Sequence, residues 1–305
     1  MGTFTFPQAL AQGPVILDGG LSNQLEAAGH DLGDALWSAR LLADRPDAIR
    51  AAHLAYYRAG AQVATTASYQ ATYEGFASRG IDAARTSELL ALSVQLAREA
   101  AAEAQEPGAR QPLWVAASAG PYGALLADGS EYRGRYGLSV AALERFHRPR
   151  LEVLAAAGPD VLALETVPDA VEAQALVRAV RGLGVPAWLS YSVAGGRTRA
   201  GQPLAEAFAV AADAEEVIAV GVNCCSPEDA DAAVPLAARI TGRPVVVYPN
   251  SGEQWDAERR SWYGPSTFFA PDRAARWVRD GARLVGGCCR VGPEDIGALA
   301  AHVRE

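Results

Sequence analysis

Apolar, β-branched runs of strand length recur along the chain, and Ala- and Leu-rich segments with helical spacing fill the intervals between them. Eight strands are expected on this pattern: Val15 to Asp18, Val63 to Thr66, Leu113 to Ser118, Val161 to Glu165, Ala187 to Ser192, Val217 to Asn223, Val245 to Pro249 and Arg283 to Gly287. Each is followed by a helical segment. The clearest are Asp82 to Gln105, Ser139 to Ala157, Asp169 to Gly182 and Pro227 to Thr241; most open on Asp, Ser or Pro and several end near Gly. The strands are mostly continuous apolar runs, which suits a parallel sheet covered by helices. Eight such units predict an α/β fold, a closed (β/α)8 barrel, whose usual size is about 250 residues. A doubly wound open sheet is the competing arrangement. No linker rich in Pro, Ser or charge interrupts the pattern, so residues 1–305 are expected to form one domain.

In a barrel the chemistry sits at the C-terminal strand ends, and here those positions are polar. Asp18 precedes Gly19 and Gly20, Thr66 and Ser68 follow the second strand, and Glu165 ends the fourth. Asn223 and Cys224 end the sixth, Tyr248 and Asn250 the seventh, and Cys288 and Cys289 the eighth. Each alone has an ordinary explanation as a cap, a turn residue or an ion-pair partner; their convergence on one rim would be a site. Two connections are long, Gly120 to Leu138 and Asn250 to Ala270, and the second carries Trp255, Trp262, Tyr263, Phe268 and Phe269. These rings either plug the loop against the barrel or form a lid, with at least one facing a ligand.

Charge and composition remove several classes of function. The chain has a net charge of -8, with no basic run longer than Arg259-Arg260, so neither nucleic acid nor an anionic membrane is an expected partner. All 27 basic residues are Arg, which excludes Schiff-base lysine chemistry, pyridoxal phosphate held through lysine, and the lysine-dependent phosphate loop. The N-terminus carries no export signal and no segment approaches the ~20 apolar residues of a membrane span, so a cytoplasmic protein is expected.

All four cysteines fall in two adjacent pairs, Cys224-Cys225 and Cys288-Cys289, on strands that would share one side of the barrel mouth. Three of the four could bind one ion, and soft thiolates favour zinc. Two ordinary buried thiols at each strand end, or a vicinal disulfide, are the other readings. His30, His53, His147 and His302 have no ligand spacing. Zinc held by three thiolates would be a poor Lewis acid for carbonyl chemistry but would favour ionisation of an incoming thiol, pointing to alkyl transfer onto sulfur. Asp18 and Glu165 would then hold the ammonium of an amino-acid thiol, and Gly19 and Gly20 would let backbone amides approach its carboxylate.

At these residues the sequence closely resembles the homocysteine S-methyltransferase family. The matching stretches are Leu17-Asp18-Gly19-Gly20, Ala59-Gly60-Ala61 leading into Thr65-Thr66-Ala67-Ser68-Tyr69, Leu164-Glu165-Thr166, Gly221-Val222-Asn223-Cys224, Tyr248-Pro249-Asn250-Ser251-Gly252 and Gly286-Gly287-Cys288-Cys289. The resemblance implies a (β/α)8 barrel with one zinc ion bound by Cys224, Cys288 and Cys289, homocysteine as its fourth ligand, and Cys225 as a bystander. By the same carry-over Asp18 and Glu165 bind the homocysteine amine, Gly19 and Thr66 lie near its carboxylate, and Asn223 joins the substrate-binding set. The segment Tyr248 to Gly252, with Tyr69 and Gln70, is most similar to enzymes that use S-methylmethionine or S-adenosylmethionine in methionine biosynthesis; Tyr69, Gln70, Tyr248, Asn250 and Trp255 are the donor-side candidates. No cobalamin or folate domain is expected after the barrel. A related thiol or selenol methyltransferase, and a zinc-storage or thiol-redox barrel, are the alternatives.

Overall fold

The computed structural model describes residues 4–33, 36–105, 112–256, 261–267 and 271–303. The eight expected strands are all present: β1 (Val15–Ile16), β2 (Val63–Thr65), β3 (Trp114–Ala119), β4 (Val161–Val167), β5 (Ala187–Tyr191), β6 (Val217–Asn223), β7 (Val245–Tyr248) and β8 (Ala282–Val285). They form one parallel sheet in the order β1-β8-β7-β6-β5-β4-β3-β2. A parallel bridge between Leu17 and Val63 closes β1 onto β2, with the Asp18 amide donating to the Val63 carbonyl at 3.0 Å. The sheet is therefore a barrel and not the open arrangement.

Side-chain alternation sorts each strand into two apolar layers. Val15, Leu17, Val63, Trp114, Ala116, Val161, Ala163, Trp188, Ala219, Val246 and Leu284 fill the interior, large rings facing small residues. The intervening positions, such as Leu162, Leu164, Leu189, Val220 and Val247, pack outward against the helices. The helix Phe6–Gln12, absent from the sequence-based expectation, adds Phe6 and Leu10 to the interior cluster, and Phe6 meets the Trp114 ring edge-on at 5.5 Å. This helix closes the N-terminal end of the barrel, so the other end holds the site.

Local capping explains the main helices. Asp82, Ser139 and Ser226 each accept a bond from the amide three residues on, opening Ala83–Ala104, Val140–Ala156 and Pro227–Thr241. Asp169 caps Ala170–Ala179, which stops short of the expected Gly182. The long connection after β3 contains a helix at Tyr122–Leu126 and a 3-10 turn at Ser130–Tyr132; that after β7 contains an antiparallel pair, Gln254–Asp256 with Ser261–Tyr263. Tyr263 is exposed. Phe268 and Phe269, and the side chains of Trp255 and Trp262, lie outside the described residues. Among the described residues no helix is long and apolar enough to cross a membrane.

Candidate active site

The strand alternation that fills the barrel with Val161 and Ala163 carries Glu165 to the top of the same interior face. The ladder between β4 and β5 shifts register between Leu164 and Val167, and Thr166 within that bulge has φ +58°. A β-branched residue adopts this left-handed conformation only when its surroundings compensate. Asn223, at the end of β6, does so: its Oδ1 accepts from the Thr166 amide and its Nδ2 donates to the Thr166 hydroxyl, both at 2.7 Å. Asn223, expected among the substrate-binding residues, thus has its amide committed to the bulge that aims Glu165.

Glu165 accepts hydrogen bonds from the Ser118 hydroxyl and, at 3.0 Å, from the Tyr248 hydroxyl. Asp18 accepts from the Thr65 amide at 2.7 Å and the Thr65 hydroxyl at 3.0 Å. Both acids are nearly inaccessible, 3% exposed for Asp18 and 6% for Glu165, and neither has an ion-pair partner among the described residues. Burial raises the Asp18 carboxyl to about 8 against the lowering effect of Thr65, with the nearby Glu165 charge adding to the rise. Burial likewise raises Glu165 to about 6, opposed by Ser118 and Tyr248. Each carboxylate uses two of its roughly four acceptor positions. Two buried acids thus have spare lone pairs and no cation partner among the described residues.

The thiols lie beside this pair. Cys224, the first residue after β6, has φ +46°, and its sulfur lies with those of Cys288 and Cys289 in a cluster whose members are all within 4.8 Å of one another. The Cys224 and Cys288 sulfurs are in direct contact, as a disulfide, with their Cα atoms 5.7 Å apart. Backbone bonds stitch the three loops together: Cys288 N to Pro249 O at 2.8 Å, Ser251 N to Cys289 O at 2.9 Å and Asn250 N to Cys225 O at 2.9 Å. Gly20 belongs to the same seam, because a Cβ there would stand 2.7 Å from the Cys288 carbonyl oxygen; Gly19 packs against the Val291 carbonyl. Cys225 points away, wholly buried in the layer between strands and helices.

The chemistry of the donor set suits a soft cation. Three sulfurs converge without imidazole or carboxylate in the cluster. Burial, reinforced by the charges of Glu26, Glu165 and Glu131, pushes the Cys289 thiol up to about 11, so it stays protonated at neutral pH until a positive charge arrives.

The other expected residues are placed as follows. The Thr66 hydroxyl accepts from the Ser118 amide at 3.0 Å and shares a bond with Ser68 at 2.7 Å, tying β2 to β3. Tyr248, expected on the donor side, sits inside the barrel beneath Glu165, its hydroxyl also bonded to Ser190 at 2.7 Å and the Trp188 indole at 3.1 Å. Asn250 accepts from the Cys289 amide at 3.1 Å and so braces the thiol loop. Gln70 donates to the Ala124 carbonyl at 2.9 Å and its Oε1 is buried without a partner. Tyr69 is half-buried beside Trp37, their ring centroids 6.3 Å apart. Sequence reasoning passed over Thr65 and Ser118, although each occupies the interior-facing alternation of its strand. It also passed over Tyr132 and Arg199 at the rim, for which no periodic signal exists.

A (β/α)8 barrel that gathers two buried carboxylates and three cysteine sulfurs at its C-terminal mouth has the layout of an enzyme with a soft-metal site. Comparison with known proteins narrows this. The family model described as homocysteine S-methyltransferase matches residues 15–303. The homocysteine S-methyltransferase of Escherichia coli is 47% identical over 294 residues, spanning 94% of each chain, and homocysteine S-methyltransferase 4 of Zea mays is 47% identical over 310 residues, spanning 97% of this chain and 91% of that one. The crystal structure of the Escherichia coli homocysteine methyltransferase in its metallated form superposes with a TM-score of 0.86 at 45% identity, covering 97% of this chain and 99% of that one. The chain belongs to the homocysteine S-methyltransferase family.

Proposed function

We propose that this chain transfers a methyl group from a sulfonium donor, S-methylmethionine or S-adenosylmethionine, to the sulfur of homocysteine, giving methionine, with one zinc ion held by Cys224, Cys288 and Cys289. The observation that carries this reading is the placement of three converging cysteine sulfurs beside two buried carboxylates that have no cation partner among the described residues. Zinc at that position supplies the positive charge that keeps a homocysteine sulfur ionised and nucleophilic. Asp18 and Glu165 take the substrate ammonium and fix the direction of its thiol, while Gly19 lies near its carboxylate and Thr66 holds β2 to β3 in support. Ser118, Tyr248 and Thr65 hold the two acids in place; Asn223 and Asn250 hold the bulge and the thiol loop. No side chain accepts a proton in the methyl transfer itself, since the acceptor sulfur is already ionised. The barrel's contribution is alignment of the two sulfurs about the methyl carbon and exclusion of water. A reducing compartment such as the cytoplasm suits this chemistry, because the three thiols must be free to bind a metal.

The test is methionine formation by the reduced, zinc-loaded protein from homocysteine and each donor. Turnover is expected with at least one. Tight zinc uptake with no methionine from either donor would instead favour a zinc-storage or thiol-redox barrel, and the disulfide contact between Cys224 and Cys288 bears on the redox form alone.

The two acids make a pH prediction. An ammonium binds their ionised forms, so amino-acid affinity should rise with pH through the range set by Glu165 near 6 and Asp18 near 8, and binding should release protons. Methionine is the suitable ligand, having no thiol proton of its own to lose. Calorimetric titration in two buffers of different ionisation enthalpy reads the proton count; uptake or no change would remove the acids from the amine site. In the empty protein the folded acids keep protons that the unfolded chain would give up. Their contribution to stability is therefore full below about pH 4 and is lost as pH rises toward 8.

A further inference from the structure

The proposed reaction needs a second amino-acid-like molecule, and the acids Asp18 and Glu165 account for only one. Outside the thiols stands an arginine with no carboxylate partner among the described residues. Arg199, on the connection after β5, donates from Nε to the Ser192 hydroxyl at 3.1 Å, and its terminal nitrogen reaches within 3.5 Å of the Cys224 carbonyl. Ser192 itself donates to that carbonyl at 3.1 Å, so the guanidinium is held in place against a proposed metal ligand. The contrast with Arg290 on the same rim is clear, since Arg290 is matched by both oxygens of Glu253 at 3.1 Å.

Arg199 lies over the Tyr132 ring, 5.5 Å from its centroid. Tyr132 is nonetheless 41% exposed, and with Leu126 and Tyr263 it belongs to the large apolar side chains left in solvent among the described residues, all three on the long loops after β3 and β7. Beside it, Glu131 is half-buried and its Oε2 has no hydrogen-bond partner. Glu131 is near enough to Cys289 to act electrostatically on its thiol, and Cys289 in turn acts on the Tyr132 hydroxyl. The Arg199 guanidinium at the Cys224 carbonyl, the Tyr132 ring beneath it and the neighbouring Glu131 carboxylate with its unsatisfied oxygen thus form a second polar group at the sulfur cluster, distinct from Asp18 and Glu165.

We propose that Arg199 and Glu131 form a second amino-acid subsite, which binds the α-carboxylate and α-ammonium of the methyl donor while the exposed part of the Tyr132 ring faces the sulfonium. This rests on the methyltransferase reading given above. S-Methylmethionine and S-adenosylmethionine share this carboxylate and ammonium and differ only in what else the sulfur carries, so the subsite reads their common part. The sulfonium charge is complementary to the thiolates and to the π-face of Tyr132. In the transfer, a lone pair of the homocysteine sulfur forms the new bond to the methyl carbon. The old carbon–sulfur bond breaks with its electron pair staying on the donor sulfur, which becomes a neutral thioether. The homocysteine thiol proton has already gone to solvent. Loss of the sulfonium charge then weakens the donor product's hold on the site.

The experiment compares S-methylmethionine with the (3-aminopropyl)dimethylsulfonium ion, the same donor without its carboxylate, in wild-type and Arg199→Gln protein. The wild type should prefer S-methylmethionine in kcat/KM, and Arg199→Gln should reduce that preference by about 10- to 100-fold, the range of a charge-assisted hydrogen bond. Arg199→Lys should restore part of it. Glu131→Gln should likewise narrow the preference for S-methylmethionine over 4-(dimethylsulfonio)butanoate, which lacks the amine. Equal losses on both donors, or a change confined to the homocysteine KM, would overturn the subsite. Calorimetric binding of S-methylmethionine to the zinc-loaded protein decides independently of turnover: affinity at least tenfold weaker in Arg199→Gln supports the subsite, and equal or undetectable binding in both overturns it. Absence of wild-type turnover alongside that weakening would count against the methyltransferase reading alone.

Discussion

Cys288→Ala and Cys289→Ala proteins are each expected to lose both their zinc and their methyl-transfer activity, to below about one part in a thousand of wild type. The physical reason is that the cluster has no reserve among the described residues. Three sulfurs lie within 4.8 Å of one another, and no described imidazole or carboxylate belongs to the group. Removing one leaves two soft ligands, too few for the closed side of a tetrahedral site. In Cys288→Ala the remaining Cys289 thiol, which burial pushes up to about 11, stays reluctant to ionise and holds a cation poorly once the set is broken. Metal content by emission spectrometry and methionine formation by chromatography should fall together. Cys225→Ser is the control: that thiol is buried on the other side of the strand, and the variant should keep its metal and pay only in stability, by about 1–3 kcal/mol for a buried hydroxyl. Full activity in either alanine variant, or loss of zinc in Cys225→Ser, would sink the assignment.

Glu165→Gln should raise the homocysteine KM by about 10- to 100-fold, with zinc content unchanged. Two effects combine. The variant removes a negative charge facing the ammonium, and its amide nitrogen, itself a donor, cannot accept the bond that Ser118 or Tyr248 now donates to the carboxylate. One of those hydroxyls must turn away, so some misalignment and a smaller fall in kcat should accompany the KM effect. Asp18→Asn should act in the same direction, and the double variant should fall short of the product of the two because both acids serve one ammonium. Steady-state kinetics with homocysteine varied at fixed donor measures this. A KM within twofold of wild type would remove Glu165 from the amine site.

Other features of the sequence carried different amounts of information. The fold was legible because buried parallel strands must be continuously apolar and covering helices must not be. The strand Val217–Asn223 and the helix Pro227–Thr241 fall where the pattern placed them. Strand ends were less legible. The pattern ended the fourth strand at Glu165, whereas β4 runs on to Val167 through a bulge that only its neighbours dictate. The helix Phe6–Gln12 leaves little mark in the sequence because about two turns of helix carry too little periodicity, although its Phe6 and Leu10 close the barrel floor.

For the site, the chemical types were legible and the division of labour was not. By itself the sequence determined the eight alternating strands and helices of a parallel α/β fold, the polar residues at the strand ends, the all-arginine cationic complement and the two cysteine pairs, because periodicity and residue chemistry are local properties. The grouping of Cys224, Cys288 and Cys289 apart from Cys225 came from the family resemblance and the cysteine sulfurs do converge in the fold, but only the tertiary structure decided that the barrel strands close into a ring, that Asn223 and Tyr248 support Glu165 from the sides and below, and that Arg199 has no carboxylate partner among the described residues. Those outcomes depend on which strands are neighbours around a closed ring and on single backbone angles at Thr166 and Cys224. A hydrogen bond spanning 57 residues, like that from Thr166 to Asn223, leaves no mark in the spacing of either segment, since each is satisfied only when the barrel has closed.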